Sequence, residues 1–289
     1  MIDCMKQKCP LLDFNIYKSA TSVEVKRIQE GIFSEIFEYC NDNDLSLFVA
    51  YGTLIGAIRH NGYIPWDDDI DLWMLREDYD KLINNFVSSS GEVVIRSVKN
   101  EKGYPYPFAK ASFKRSHSYE YIYRKKFDIG INIDIFPLDF VPSNKSTQAE
   151  LFRKIKSLKK LHEFKNISYK KRNLAKQLVL SIGNFVLAPF SSYYFGKKIN
   201  KTIEKFDVKE KEYVGCFLCP YGIKTVVPYK CFSKAEQRVF EKVNVPVPIG
   251  YDQILSSIYG DYMKLPPVEK QVTHHMFEAY IRKDETLFL

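Results

Sequence analysis

Tyr51-Gly52-Thr53-Leu54-Ile55-Gly56-Ala57-Ile58-Arg59-His60-Asn61-Gly62-Tyr63-Ile64-Pro65-Trp66-Asp67-Asp68-Asp69-Ile70-Asp71 is the stretch that decides the fold of this 289-residue chain. It sets four aspartates (Asp67, Asp68, Asp69 and Asp71) within five residues, flanked by Ile64, Pro65, Trp66, Ile70, Leu72 and Trp73. Crowded carboxylates repel one another, and once partly buried they require a cation or oriented donors. The apolar flanks argue against a solvated surface turn, and the central Gly and terminal Glu of an EF-hand loop are absent. From 69 to 74 charged and apolar residues alternate, which predicts a strand with Asp69 and Asp71 on one face, able to share one ion. Hard oxygen ligands in this number suit Mg²⁺ or Mn²⁺.

Working outward, the apolar run over 45–51 predicts a buried strand that breaks at Gly52, and 53–60 has helical spacing that stops at Asn61-Gly62. Gly52 and Thr53 therefore sit where a strand gives way to a helix. Free backbone N–H groups and the helix dipole favour a phosphate there. Further upstream, Thr21-Ser22-Val23-Glu24 reads as a capping box ahead of Val25, Ile28, Ile32 and Ile36, an amphipathic helix. Downstream, a helix is expected over 76–86 and strands over 92–98, 108–113 and 131–136. This order predicts an α+β fold, a mixed sheet flanked by helices.

Asp134 lies among the apolar residues of the last of these strands, where a lone acid is costly without a partner, so it is the expected third carboxylate. Asp139, just after Pro137-Leu138, reads equally as a turn or helix cap or as a ligand. Arg59 either neutralises phosphates or satisfies carbonyls at a helix end. Lys110 either reaches the same phosphates or snorkels from an edge strand.

With 45% hydrophobic and 15% aromatic residues the chain can bury a core, which excludes disorder. The net charge of +8 is local: residues 153–176 hold ten Lys or Arg and one acid, +9, leaving −1 for the rest. A 13-residue apolar run over 178–190 follows, short of the ~20 residues a membrane span needs. Three readings stand: an ordinary helical piece with a solvated face, docking on an anionic membrane surface, or a nucleic-acid patch, the last not expected. The six cysteines form no dense framework and read as reduced thiols. The first residues lack a secretory apolar stretch, so the cytoplasm, at the inner face of the plasma membrane, is the expected location. The expected organisation is a catalytic core over 1–142, a basic, partly apolar helical insertion over 143–210, and a C-terminal part over 211–289 that completes the catalytic domain.

A Gly-Thr turn, a short helix, an Asp-x-Asp strand and a later acidic strand follow one another as in a nucleotidyltransferase-like palm. The run from Tyr51 to Asp71 resembles the hallmark of the LicD family, phosphocholine transferases related to fukutin and fukutin-related protein. Ile133-Asp134-Ile135-Phe136-Pro137-Leu138-Asp139 is similar to that family's second block, and Tyr259-Gly260-Asp261-Tyr262-Met263-Lys264-Leu265-Pro266-Pro267 with His274-His275 to its C-terminal block. Residues 150–210 lie outside the resemblance. It implies a nucleotidyltransferase-like fold and Mg²⁺-dependent transfer of a phospho-alcohol, above all phosphocholine from CDP-choline or another CDP-alcohol. The acceptor would be a hydroxyl of a bacterial surface glycan (lipopolysaccharide, teichoic acid or capsule, or a lipid-linked form), with release of CMP. Asp69 and Asp71 would hold the metal, Asp134 would be a further ligand or the base, and Arg59 would act with them. Gly52, Thr53 and Lys110 would bind substrate. So would His274 and His275, unless they cap helices or satisfy buried carbonyls. A nucleotidyltransferase using an NTP donor and a non-catalytic sugar-nucleotide-binding protein are the competing readings.

Overall fold

The computed structural model describes residues 12–120, 127–166, 181–183, 185–206, 208–273 and 277–288. A short strand, β1 (Tyr17–Ser19), leads into helix α1 (Ser22–Asp42). The capping box forms as expected: Thr21 Oγ1 accepts from Glu24 N at 3.2 Å, and the Glu24 carboxylate accepts from Thr21 N at 2.8 Å. Ile28, Ile32 and Ile36 line the inner stripe of α1 and are fully buried, each stabilising the fold by roughly 1.5–3 kcal/mol.

Strand β2 (Phe48–Val49) is shorter than the expected 45–51 run, because helix α2 (Tyr51–Arg59) already begins at Tyr51. Ala50 makes the switch. Its N–H donates to Asp71 O at 2.8 Å, while its carbonyl accepts the first helical bond from Leu54 N at 3.0 Å. Strand β3 (Asp71–Leu75) also starts later than expected. Asp69 therefore precedes the strand, and alternation does not set its direction. The reason is that the Asp71 N–H donates to Thr53 Oγ1 at 2.9 Å, and the residues before it follow the loop that leaves α2.

Helix α3 (Arg76–Asn85) and strands β4 (Val93–Arg96), β5 (Ala109–Phe113), β6 (Ser116–Glu120) and β7 (Asn132–Val141) follow. β7 outruns the expected 131–136 strand and carries Asp139 with it, so Asp139 is neither turn nor cap. Arg76 grips it from α3 through two bonds of 2.8 and 2.9 Å. Then come α4 (Lys145–Asn166), α5 (Ser192–Ile203), β8 (Tyr213–Gly215), β9 (Val227–Pro228), the hairpin β10 (Ala235–Phe240) and β11 (Val243–Pro248), α6 (Tyr251–Tyr259) and β12 (Phe277–Arg282). α6 ends at Gly260, whose φ of 73° is open to glycine.

The main sheet runs β2-β3-β7-β5-β4, with β3 and β7 parallel and the other pairs antiparallel; β8 pairs with the far half of β7. A second sheet, β1-β12-β6, joins the two ends of the chain. The fold is α+β. Lys110 stands on β5, an inner strand, and is buried, so it is not an edge-strand snorkeler.

The helices of the basic region pack on the core: Phe152, Ile155 and His162 of α4 and Phe195, Ile199 and Ile203 of α5 are buried. Between those helices, Ile182, Phe185 and Val186 are exposed by 58, 84 and 66%, so the described part of the 178–190 run is not core. Lys170, Lys171, Arg172 and Lys176 lie outside the described residues. Cys40, Cys216, Cys219 and Cys231 are buried free thiols; Cys4 and Cys9 lie outside the described residues.

Candidate active site

The register of the main sheet assembles the site. Asp71 opposes Asp134 across the parallel β3–β7 pair, and Asp134 opposes Lys110 across β7–β5. Directly opposed residues share a face, so three adjacent strands present Asp71, Asp134 and Lys110 side by side. Lys110 Nζ lies 2.5 Å from Asp134 Oδ1, 3.1 Å from Asn132 Oδ1 and 3.9 Å from Glu120 Oε1, with the Tyr106 ring 4.8 Å away. One cation is thus set among several acceptors at the β5 end of the row.

The loop before β3 brings in the rest. Asp67, Asp68 and Asp69 each offer a carboxylate oxygen, and these oxygens lie within 4.8 Å of one another. Asp67 N donates to Ile64 O at 2.8 Å, and the Asp68 carbonyl accepts from Gln29 Nε2 at 3.0 Å. Gln29 also reaches Asn132 O at 3.3 Å and accepts from Tyr63 at 3.1 Å, so one buried amide ties α1 to both the acidic loop and the start of β7. The Asp71 carboxyl is pushed well above its ordinary value, first by burial and then by the charges of Asp69, Asp134 and Asp67, with Lys110 opposing. A group so burdened is poised to be relieved by a cation.

Gly52 serves this arrangement by its lack of a side chain. A Cβ at that position would collide with Asp67 Oδ2, so the first turn of α2 holds a carboxylate where a phosphate was expected. Tyr51, just before it, takes a φ of 43°, a strained conformation for an aromatic residue. Packing holds it there: its ring lies 4.6 Å from Trp73, 5.2 Å from Tyr221 and 5.4 Å from Phe136. Thr53 spends its hydroxyl on the Asp71 N–H and so acts on the strand.

Arg59 is engaged at the opposite end of α2. It donates to the carbonyl of Tyr262 and, at 3.5 Å, to that of Lys264, tying α2 to the C-terminal segment. This matches the helix-end alternative for Arg59. His274 and His275 lie outside the described residues; their neighbour Thr273 donates to Trp66 O at 3.2 Å, next to the acidic loop.

The sequence reading missed Gln29, Tyr221 and Tyr259. Burial pushes both tyrosines up first, and the charges of Asp71 and Asp67 add to it; their hydroxyls are bonded at 2.8 Å. Gln29 had a signal, a polar residue interrupting the apolar stripe of α1. The tyrosines, among 20 in the chain, had none.

Among the described residues no helix is long and apolar enough to cross a membrane. Residues 44–174 match the family described as LicD/FKTN/FKRP, nucleotidyltransferase domain. The lipopolysaccharide cholinephosphotransferase LicD of Haemophilus influenzae is 33% identical over 267 residues, which cover 88% of this chain and 97% of that protein. Uncharacterized proteins of Rickettsia prowazekii and Rickettsia typhi share 38% identity over 47 residues, 16% of this chain and 18 and 15% of theirs. By its matched domain and by similarity along nearly its whole length to a named member, this chain belongs to the LicD family of phosphotransferases.

Proposed function

We propose that this protein transfers phosphocholine from CDP-choline to a hydroxyl of a bacterial surface glycan, with release of CMP, and that it needs Mg²⁺ or Mn²⁺ to do so. The observation that carries this reading is the row Asp71–Asp134–Lys110 closed off by the Asp67–Asp69 loop. Those residues fit a hard divalent cation: Asp67, Asp68 and Asp69 converge their carboxylate oxygens, and the half-buried Asp71 stands among like charges. Asp69, Asp71 and Asp134 would hold the ion. Once bound, it would supply charge stabilisation to the phosphate being transferred.

The protein's own residues do the rest. Lys110 offsets part of the negative charge beside Asp134, so the site can accept a diphosphate next to so many acids. Thr53 and Gly52 set the distance between α2 and β3, and Tyr51, Tyr221 and Tyr259 wall the site with aromatic rings. The acceptor oxygen attacks the phosphorus bearing choline, the bond to the CMP oxygen breaks, and the hydroxyl proton passes to one of the carboxylates. A lipid-linked acceptor would place the enzyme at the inner face of the membrane. The exposed Ile182, Phe185 and Val186 beside the lysines of α4 support contact with an anionic bilayer.

The test is a panel of CDP-choline, CDP-ethanolamine, CDP-ribitol and CDP-glycerol with Mg²⁺, measuring CMP. Metal-dependent CMP release with choline preferred is the expected result. Pyrophosphate from an NTP, with no CMP from any CDP-alcohol, would identify a nucleotidyltransferase; no turnover at all would leave a binding protein.

A further inference from the structure

A cavity of about 540 Å³ opens where β1 ends and the chain turns at Ala20 into α1. β1 pairs with the far half of β12, and Ala20 N donates to Ala279 O at 2.9 Å, so the start of β12 at Phe277 and Glu278 is left to line this cavity. Its walls combine aromatic rings (Phe14, Phe277 and Tyr280) with two carboxylates, Glu278 and Asp68. Phe14 meets Tyr280 edge-on at 5.8 Å, and the Tyr280 hydroxyl donates to Glu278 Oε2 at 2.9 Å. Asp68 belongs at the same time to the acidic trio. One wall of the cavity is thus continuous with the candidate active site.

We infer that this cavity holds the quaternary ammonium headgroup of the donor. The inference rests on the transfer reading above and adds to it the residues that select the alcohol. Ring faces attract a cation through their quadrupole, and nearby carboxylates add charge without demanding hydrogen bonds, which a trimethylammonium group cannot give. Two carboxylates on the walls disfavour a phosphate or a nucleotide in the same place. They disfavour a neutral polyol less, but the rings offer it no hydrogen bonds. The phosphoryl group then falls at the acidic loop and the headgroup behind it.

The experiment is equilibrium binding of choline chloride, ethanolamine and glycerol to the full-length protein at constant ionic strength, beside CMP release from CDP-choline. Choline is expected to bind saturably and more tightly than ethanolamine, with glycerol weakest. Phe14→Ala, at a ring 38% exposed, and Glu278→Gln should each weaken choline about tenfold while leaving glycerol unchanged. Both variants should melt with the wild type. No saturable choline binding by the wild type, or equal binding by both variants, overturns the cavity assignment, whatever CMP release shows. Choline binding that falls in both variants supports the assignment, even where no CDP-alcohol yields CMP and the transfer reading alone has failed.

Discussion

The acidic loop with its sheet and the basic helices after it hold charge of opposite sign, and the fold treats them differently. In the first, the backbone that carries the acids is pinned: the Asp71 N–H donates to Thr53 Oγ1, the Asp67 N–H to Ile64 O, and the Asp68 carbonyl accepts from Gln29 Nε2. In the second, Arg153, Lys154, Lys156 and Lys160 stand exposed on α4, and only some of its cations turn inward, as Lys159 does to the carbonyls of Leu218 and Cys219. A charge that costs stability and is still rigidly placed marks chemistry. A charge left to solvent marks a surface, whose partner is chosen by field and by exposed apolar neighbours.

The largest effect is expected in the first region. Asp71→Asn should lower CMP release about a thousandfold, because it removes a ligand of the ion that would stabilise the phosphate being transferred. The same change should raise the melting temperature of the metal-free protein, since it relieves repulsion with Asp69, Asp134 and Asp67 at a half-buried position. Mg²⁺ should in turn raise the melting temperature of the wild type far more than that of the variant. Activity and stability moving in opposite directions is the signature of a functional acid. If they fall together, Asp71 is a structural residue and the contrast between the regions breaks.

The acidic region was readable from sequence because its information is local. Four aspartates among apolar residues, a glycine at a strand-to-helix switch and an alternating strand give the α+β class and bring Asp71 and, as a third carboxylate, Asp134 into one acidic set without knowledge of the sheet. What failed depended on partners distant in sequence. Asp69 was put on β3 because alternation continues through it, whereas Thr53 takes the Asp71 N–H and fixes where pairing starts. Asp139 looked like a turn residue after Pro137 until Arg76, 63 residues earlier, drew it into β7. The exposure of Phe185 depends on how α4 and α5 pack, which no local pattern states.

Asp139 supplies the second test, because it lies on the seam between the two regions. Arg76 bonds it at 2.8 and 2.9 Å and also reaches Asn200 of α5 at 3.5 Å, and Asn200 donates to Pro107 O at 2.7 Å. Burial works against the charge on Arg76, and Asp139 more than restores it. Asp139→Ala strands that guanidinium and should cost about 3–5 kcal/mol in a denaturant titration. CMP release per folded molecule should be unchanged. A selective loss of turnover with stability intact would move Asp139 from the seam into the site.

The smallest effect belongs to the basic region. Each lysine near anionic lipid contributes about 1 kcal/mol, so reversing Lys156 and Lys160 to Glu removes at least about 2 kcal/mol, roughly thirtyfold in partitioning. Phe185→Ser should weaken retention on its own, by taking an 84%-exposed ring out of the contact. Co-sedimentation with anionic and zwitterionic vesicles at low salt reads both changes, and CMP release from a soluble acceptor should be unaffected by either. The two substitutions act through different physics, so their salt dependence separates them: the lysine effect should fade at high salt and the Phe185 effect should persist. Equal retention of wild type and both variants would show that this surface only keeps the protein soluble, and the contrast with the acidic region would then be one of buried against solvated charge alone.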